Sequence, residues 1–348
     1  MDNQDSTEAQ DGWGASCGSG GEFFQGQVGG IWLQVACPVD RWRWARISPG
    51  ADEQGPGPDQ AHPIPPKAKE LHERFAQAGM IVDGGGETRV GLGGDDLRPG
   101  TGLGSSTADL GALIGAVHGL AGRVGVGLAG EHGVGSSGGC GGDLTGDVDP
   151  RRATAWALKV EPTNGTFFRD LTLFDHRGGD VAESMGPVPV LDLVVVTDGP
   201  VDTLAFNRRL DRRVAKTGLA SGLLRRWTSS LGLLRHAVAS GDLEALGRAS
   251  TLSARCSVTL IPRPLLEPVE RVAGEMGALG VMVGHSGTAT GILLDPGRRT
   301  HPEDAAARLQ SVIPGSKPLL VRTGPGGIRW GTVSRDAPLP PYRLAHMV

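Results

Sequence analysis

Apolar residues gather first in two short runs, Ile31 to Ala36 and Arg43 to Ser48, whose content suits strands. Together they predict a hairpin carrying the preceding glycine-rich opening, ASCGSGGEFFQGQVGG, on its edge. Ser48 to Pro66 has no apolar period and is dense in Gly, Pro, Asp and Gln, which marks a surface loop. Helical spacing of Ala68, Leu71, Phe75 and Ala78 predicts a helix over Lys67 to Ala78. The stretch RPGTGLGSSTADLGALIGAVHGLAG opens as a glycine loop and becomes a helix, with Ala108, Ala112, Leu113, Ala116, Val117 and Leu120 on one face and Ser105 or Ser106 placed to cap it. Gly122 to Asp149 is almost without large apolar residues and reads as a flexible insertion. Trp156 to Val160 and Phe167 to Phe174 suit strands flanking an EPTNGT turn, and Val190 to Thr197 is a continuous apolar run typical of a buried strand.

The second half predicts helices at about 203–239, 241–255 and 264–279. Strand Gly280 to Val283, an HSGTAT turn, strand Gly291 to Leu294, helix Pro302 to Val312 and strand Pro318 to Arg322 follow. That order implies an antiparallel sheet with helices on one side, an α+β arrangement. A chain of 348 residues is long for one core, so two domains meeting at a cleft are expected: 1–186, 187–334, then a Pro-bearing tail, 335–348.

Composition narrows the partners. A formal charge of −4 gives no electrostatic reason to expect nucleic acid, whose binding rests on Lys and Arg neutralising phosphates, so a small molecule is the better expectation. Cys17, Cys37, Cys140 and Cys256 are scattered without a C-x-x-C pair, which signals neither zinc site nor disulfide framework and fits reduced thiols in a cytoplasmic protein. The polar, acidic start lacks the features of a signal peptide, and no stretch approaches the ~20 apolar residues of a membrane span. A monomer or homodimer is expected.

The strongest local chemistry lies at Gly102-Leu103-Gly104-Ser105-Ser106 ahead of a helix. Free N–H groups of a first helical turn and its positive dipole end attract phosphate, and glycines let the backbone approach the anion. The segment lacks the Lys of a G-x-x-x-x-G-K-[ST] loop, so charge on a bound phosphate must be met by the helix end and a metal. A serine hydroxyl there can ligate Mg²⁺, which prefers oxygen ligands.

PGTGLGSSTA resembles the second signature of the GHMP kinases, GVMVGHSGTATGILLD the third and GSGGEFFQG the first, in family order. Within that superfamily the chain resembles the L-threonine kinases of cobalamin biosynthesis and propanediol utilisation. The blocks carrying the likeness are GEFFQG at Gly21 to Gly26, CPVD at Cys37 to Asp40, SSTAD at Ser105 to Asp109, EPTNGTFFRDLTLFDH at Glu161 to His176, TLSA at Thr251 to Ala254 and HSG at His285 to Gly287. The resemblance implies a two-domain GHMP fold with a ribosomal-protein-like N-terminal domain and a ferredoxin-like C-terminal domain. It also implies Mg²⁺-dependent transfer of the γ-phosphoryl group of ATP to the threonine hydroxyl, for the aminopropanol linker of the corrin. Gly100, Thr101, Gly102, Leu103, Gly104, Ser105, Ser106 and Thr107 would then hold the nucleotide, and Ser106 and Glu161 the metal. Glu22 and Asp40 are expected at the substrate's ammonium, Arg169 and the turn of His285, Ser286 and Gly287 at its carboxylate, with Gln25 and Asn164 also among the substrate-binding residues. The family's usual Asp is Asn164 here, and an amide cannot take a proton. Catalysis is therefore expected to run without a dedicated base or to use Asp175. Other GHMP acceptors such as homoserine, and a non-catalytic nucleotide-binding relative, are the alternative readings.

Three further features carry bland readings. Arg208, Arg209, Arg212, Arg213, Lys216, Arg225 and Arg226 read as a solvated helix face, and His132 and Cys140 as isolated residues of the insertion. Trp42 and Trp44, two apart on a strand pattern, are expected to cover a core.

Overall fold

A computed structural model of the chain describes residues 10–49, 63–81, 88–97, 102–124, 148–286 and 288–335. Strands β1 (Gln10–Val28) and β2 (Ile31–Ser48) form a long antiparallel hairpin. Its turn, Gly29-Gly30, has φ of 60° and 86°, values that only glycine adopts at little cost. Helix α1 (Pro66–Gln77), β3 (Arg89–Gly94), α2 (Ser105–Val124) and α3 (Pro150–Ala157) follow, then a 3₁₀ turn at Gly165–Phe167, β4 (Leu171–Asp175) and β5 (Ala182–Gly186). After β6 (Asp192–Thr197) come α4 (Thr203–Thr217), α5 (Ser221–Ser240), α6 (Leu243–Val258) and α7 (Leu266–Glu275). The chain continues through β7 (Gly280–Val283), β8 (Ala289–Leu294), α8 (Pro302–Val312), β9 (Leu319–Arg322) and β10 (Ile328–Ser334).

Among the described residues the strands form one sheet, ordered β5-β4-β2-β1-β7-β8-β6-β9, with β3 on the far half of β2 and β10 on β1. The glycine-rich opening is thus not an edge loop but a central strand, and the two predicted runs after it are parts of the single strand β2. The pairing of β1 with β2 shifts register between Cys17 and Ser19, Ser19 and Glu22, and Glu22 and Phe24. Such bulges bend a strand and re-aim its side chains. Here they bring Glu22 opposite Val283 of β7, where the strands of the first half meet those of the second. The C-terminal strand β10 returns to pair with β1 from Gln10 to Ser16, so the stretch after residue 187 also completes the sheet of the first half.

Glycine content in β1 and α2 has a packing cause. A Cβ on Gly12 would lie 2.2 Å from the Ala116 carbonyl oxygen, and one on Gly14 2.3 Å from that of Ala112. On the helix, Gly111, Gly115 and Gly119 recur once per turn and face Ser16, Gly14 and Gly331 just as closely. Helix and strand therefore touch backbone to backbone. The buried ion pair Arg43–Asp109 (2.7 Å) ties the same helix to β2.

Other elements differ from their sequence pattern for identifiable reasons. Trp156 to Val160 is not a strand: Pro150 at the first helical position and Asp149, whose carboxylate accepts from the Arg151 amide, start α3. The segment 203–239 is two helices, because Gly218 at φ 64° ends α4 before Ser221 begins α5. Phe167 lies in the 3₁₀ turn, leaving the strand to start at Leu171. Strands β3, β5 and β10 were not anticipated. Much of the predicted insertion, with His132 and Cys140, lies outside the described residues, as does nearly all of the 335–348 tail. The seven basic residues of α4 and α5 are exposed, and Trp42 and Trp44 pack against Trp13 and Ala15. Cys17, Cys37 and Cys256 are free and buried. Among the described residues no helix is long and apolar enough to cross a membrane.

Gly14→Val tests the backbone contact. Overpacking typically costs about 1–3 kcal/mol, so its urea midpoint is expected to fall. Gly232→Ala, on an exposed helical position with nothing within 4 Å, is expected to stabilise by up to about 1 kcal/mol. A Gly14→Val midpoint equal to the parent's would contradict the packing.

Candidate active site

The start of α2 is set by the strand beneath it. The Ser19 amide of β1 donates to the Leu103 carbonyl (2.9 Å), and Gly102 and Gly104, at φ 77° and 67°, coil the chain into the helix. Neither glycine has room for a side chain. A Cβ on Gly102 would lie 2.9 Å from Thr288 Oγ1, and one on Gly104 3.0 Å from Asn164 Nδ2. The glycine loop, the EPTN turn and the turn after β7 thus converge on one cleft. Its walls include Glu22, Gln34, Lys67, Gly102, Gly104, Ser105, Ser106, Thr107, Glu161, Thr163, Asn164, His176, Asp202, His285 and Ser286, around about 120 Å³. An adjoining apolar cavity between Trp32, Phe206 and Trp227 measures about 20 Å³, room for one water-sized group, so the larger cleft is the candidate site.

At the helix start Ser106 does not cap α2; its hydroxyl donates to one carboxylate oxygen of Glu161 while the Lys67 ammonium engages the other. The Ala108 amide bonds to the Gly104 carbonyl, so the amides of Ser105, Ser106 and Thr107 precede the helix's own ladder. Ser106 and Glu161 bring hard oxygen donors together, which fits a divalent cation such as Mg²⁺. Among the described residues no group of three or more His, Cys, Asp or Glu could hold a metal, so such an ion would draw further ligands from phosphate and water.

Asn164 is fixed by Thr166, whose amide (3.1 Å) and hydroxyl (2.7 Å) both donate to its Oδ1. Its Nδ2 is consequently the end that faces Gly104. The Thr163 amide donates to the His176 carbonyl (3.1 Å), which binds the EPTN turn to the end of β4. On the opposite wall the His285 ring meets Asn207 Oδ1 (2.7 Å), and Arg263 donates to the carbonyls of Gly284 (3.0 Å) and His285 (3.2 Å). The rings of His176 and His285 lie 4.5 Å apart. Buried side-chain atoms without a hydrogen-bond partner gather here: Glu22 Oε2, Gln34 Oε1, both His176 nitrogens, His285 Nδ1 and Arg263 Nε. Unpaired buried polar atoms cost stability, so these are groups whose bonds water or a ligand would complete.

Of the other expected site residues, Gln25 sits behind the cleft, its amide donating to the Val283 carbonyl (3.3 Å), and lines the adjoining cavity. Three are placed away from the cleft. Asp40 accepts from the Arg322 amide (3.0 Å), Arg169 is exposed, and Asp175 accepts from the turn amides of Arg177 (3.1 Å) and Gly178 (3.0 Å). The two carboxylates are spent on local structure, as turn and strand-end residues often are. Gly100, Thr101 and Gly287 lie outside the described residues. Sequence reasoning missed Lys67, Gln34, His176, Asn207 and Arg263. Only His176 stood inside a signature block; the rest enter through folding alone.

No family model matches the chain. Curated relatives do: the L-threonine kinase of Citrobacter freundii is 28% identical over 290 residues, spanning 82% of this chain and 85% of that one. The L-threonine kinase of Salmonella typhimurium is 27% identical over 293 residues, 82% of each. The chain is similar to these L-threonine kinases over 82% of its length. It is a phosphotransferase with an alcohol group as acceptor. Solved structures share its α+β fold. The homoserine kinase of Cytophaga hutchinsonii superposes with a TM-score of 0.62 at 15% identity, over 95% of this chain and 100% of that one. MDDEF in complex with MVAPP, AMPPCP and magnesium gives 0.57 at 13% identity, over 94% and 100%.

Burial sets the protonation of this kinase's cleft. Glu22, ordinarily near 4.5, is pushed up to about 8 by desolvation, which the Arg263 charge and a bond from the His285 backbone only partly offset. His176 is held at about 3, chiefly by burial, and His285 well below its usual range for the same reason. A carboxyl raised in the folded state lends stability below 4.5 that is lost as pH climbs to about 8. A lowered histidine lends stability above 6.5 that is lost as pH falls toward about 3. Of these groups Glu22 alone still titrates above 6.5. Between pH 6.5 and 8 the denaturation midpoint of the parent is therefore expected to fall with rising pH more steeply than that of Glu22→Gln. Equal slopes would show Glu22 ionised throughout.

Proposed function

We propose that this kinase transfers the γ-phosphoryl group of ATP to the hydroxyl of L-threonine, giving O-phospho-L-threonine, with Mg²⁺ as the metal. The observation that carries the reading is the meeting of three groups at one cleft: the first-turn amides of α2, the Ser106–Glu161 pair, and Glu22 with the His285 turn, which Arg263 supports from behind. The first suits phosphate and the second a divalent cation. The third offers a buried acid for an ammonium and buried donors for a carboxylate, the two ends of an amino acid. Sequence similarity to two L-threonine kinases supports threonine as the acceptor, and the superposed complex with AMPPCP and magnesium supports the nucleotide and the ion. A supply of phosphothreonine for the aminopropanol linker of cobalamin, in the cytoplasm, belongs to the same proposal.

In the transfer the bond from γ-phosphorus to its bridging oxygen breaks, a bond to the acceptor oxygen forms, and the hydroxyl proton leaves with solvent or the product phosphate. A divalent cation supplies charge neutralisation on the phosphates. The protein's share is placement: α2 amides and Asn164 Nδ2 donate toward phosphate oxygens, while Glu22 and the His285 turn orient the amino acid. Such transfers pass through a loose transition state, for which positioning outweighs proton removal, so an amide at position 164 is compatible with turnover.

Purified protein incubated with Mg²⁺ and ATP is expected to yield phosphothreonine by mass spectrometry, faster than phosphoserine or phosphohomoserine. Glu161→Gln is expected to lower kcat by roughly 10²-fold or more, the scale seen when one electrostatic group of a transition state is removed. ADP release with homoserine but not threonine would replace the acceptor; nucleotide binding without turnover of any hydroxy amino acid would overturn the reading.

A further inference from the structure

The glycine loop carries no lysine, yet one lysine reaches the same cleft from elsewhere. Lys67 stands in the first turn of α1, directly after Pro66, with no acidic residue in that turn. A cation there opposes the positive end of the helix dipole, so the position is not explained by local helix stability. Ala68, Leu71 and Phe75 bury the other face of α1, and the Phe75 ring packs on Trp156 at 4.7 Å, which holds the helix start beside the cleft. The Lys67 ammonium engages Glu161, whose second oxygen takes the Ser106 hydroxyl. The two partners differ in freedom: the Glu161 side chain is 2% exposed and that of Lys67 35%. A flexible, part-exposed ammonium can change partners, whereas the buried carboxylate stays in place.

We propose that Lys67 is the phosphate-binding cation of this kinase, shared between Glu161 and the terminal phosphates of the nucleotide. A divalent ion binding Ser106 and Glu161 competes with the ammonium for the same carboxylate. The ammonium then turns to the adjacent phosphate oxygens and offsets charge that the loop's amides meet only in part. This assignment rests on the kinase reading and adds a residue that the signatures do not contain.

Lys67→Met and Lys67→Arg, with folding checked by thermal unfolding, separate this role from a structural one. Two titrations are read for each: ATP with Mg²⁺, and Mn²⁺ alone followed by the spectrum of the free ion. Lys67→Met is expected to weaken ATP by about tenfold, the loss of roughly one charge-assisted hydrogen bond, and to bind Mn²⁺ alone more tightly because the competitor is gone. Lys67→Arg is expected to keep most of the ATP affinity. Parental values for both ligands in folded Lys67→Met would overturn the role while leaving the kinase reading intact. Failure of the parent protein to bind ATP would overturn that reading and the Lys67 role with it.

Discussion

Backbone lies against backbone where α2 crosses β1, and the cleft depends on that contact. Five glycines, Gly12, Gly14, Gly111, Gly115 and Gly119, remove the side chains that would hold the two elements apart. Each glycine inside a helix or strand costs roughly 0.5–1 kcal/mol relative to alanine. What offsets this is close packing over much of the helix, joined by the buried Arg43–Asp109 pair. Removing one partner of such a pair typically costs about 3–5 kcal/mol. The functional result lies at the helix start, because the Ser19–Leu103 bond aims the first-turn amides into the space between β7, Glu161 and Asn164.

Two walls of different electrical character face each other across that space. One bears the helix start, Ser106, Glu161 and Lys67, a set of oxygens and cations suited to phosphate and metal. The other bears buried Glu22 and His176 and part-buried His285, with Arg263 bonded to the backbone behind them and several polar atoms left without partners. Leaving polar atoms unpaired costs stability, and a ligand that completes their bonds recovers it. The same burial keeps the two imidazoles neutral. Neutral rings can orient an amino acid without repelling its ammonium group.

Much of this was legible in the sequence, though unevenly. The helix after GLGSS follows from one apolar face and a glycine loop, and Glu161 with Ser106 follows from signature blocks. The central placement of the opening was not legible, because glycine reads as a loop former unless the helix it packs against is known. Gly111, Gly115 and Gly119, spaced by four, were the available sign of that contact. Asp40, Arg169 and Asp175 looked like chemistry because carboxylates and guanidinium groups do, yet backbone amides hold the two carboxylates and the Arg169 residue is exposed. Lys67 and Arg263 lie outside every motif: helix packing brings Lys67 to the cleft, and Arg263 supports the His285 turn from behind it.

Amide hydrogen exchange with and without Mg²⁺ and ATP tests the central claim most directly. Nucleotide is expected to slow exchange at the amides of Ser105, Ser106 and Thr107 while leaving the solvent-facing helix α8, on the opposite part of the sheet, unchanged. Saturating nucleotide that leaves those three amides exchanging at their original rates would contradict the placement of phosphate at the start of α2.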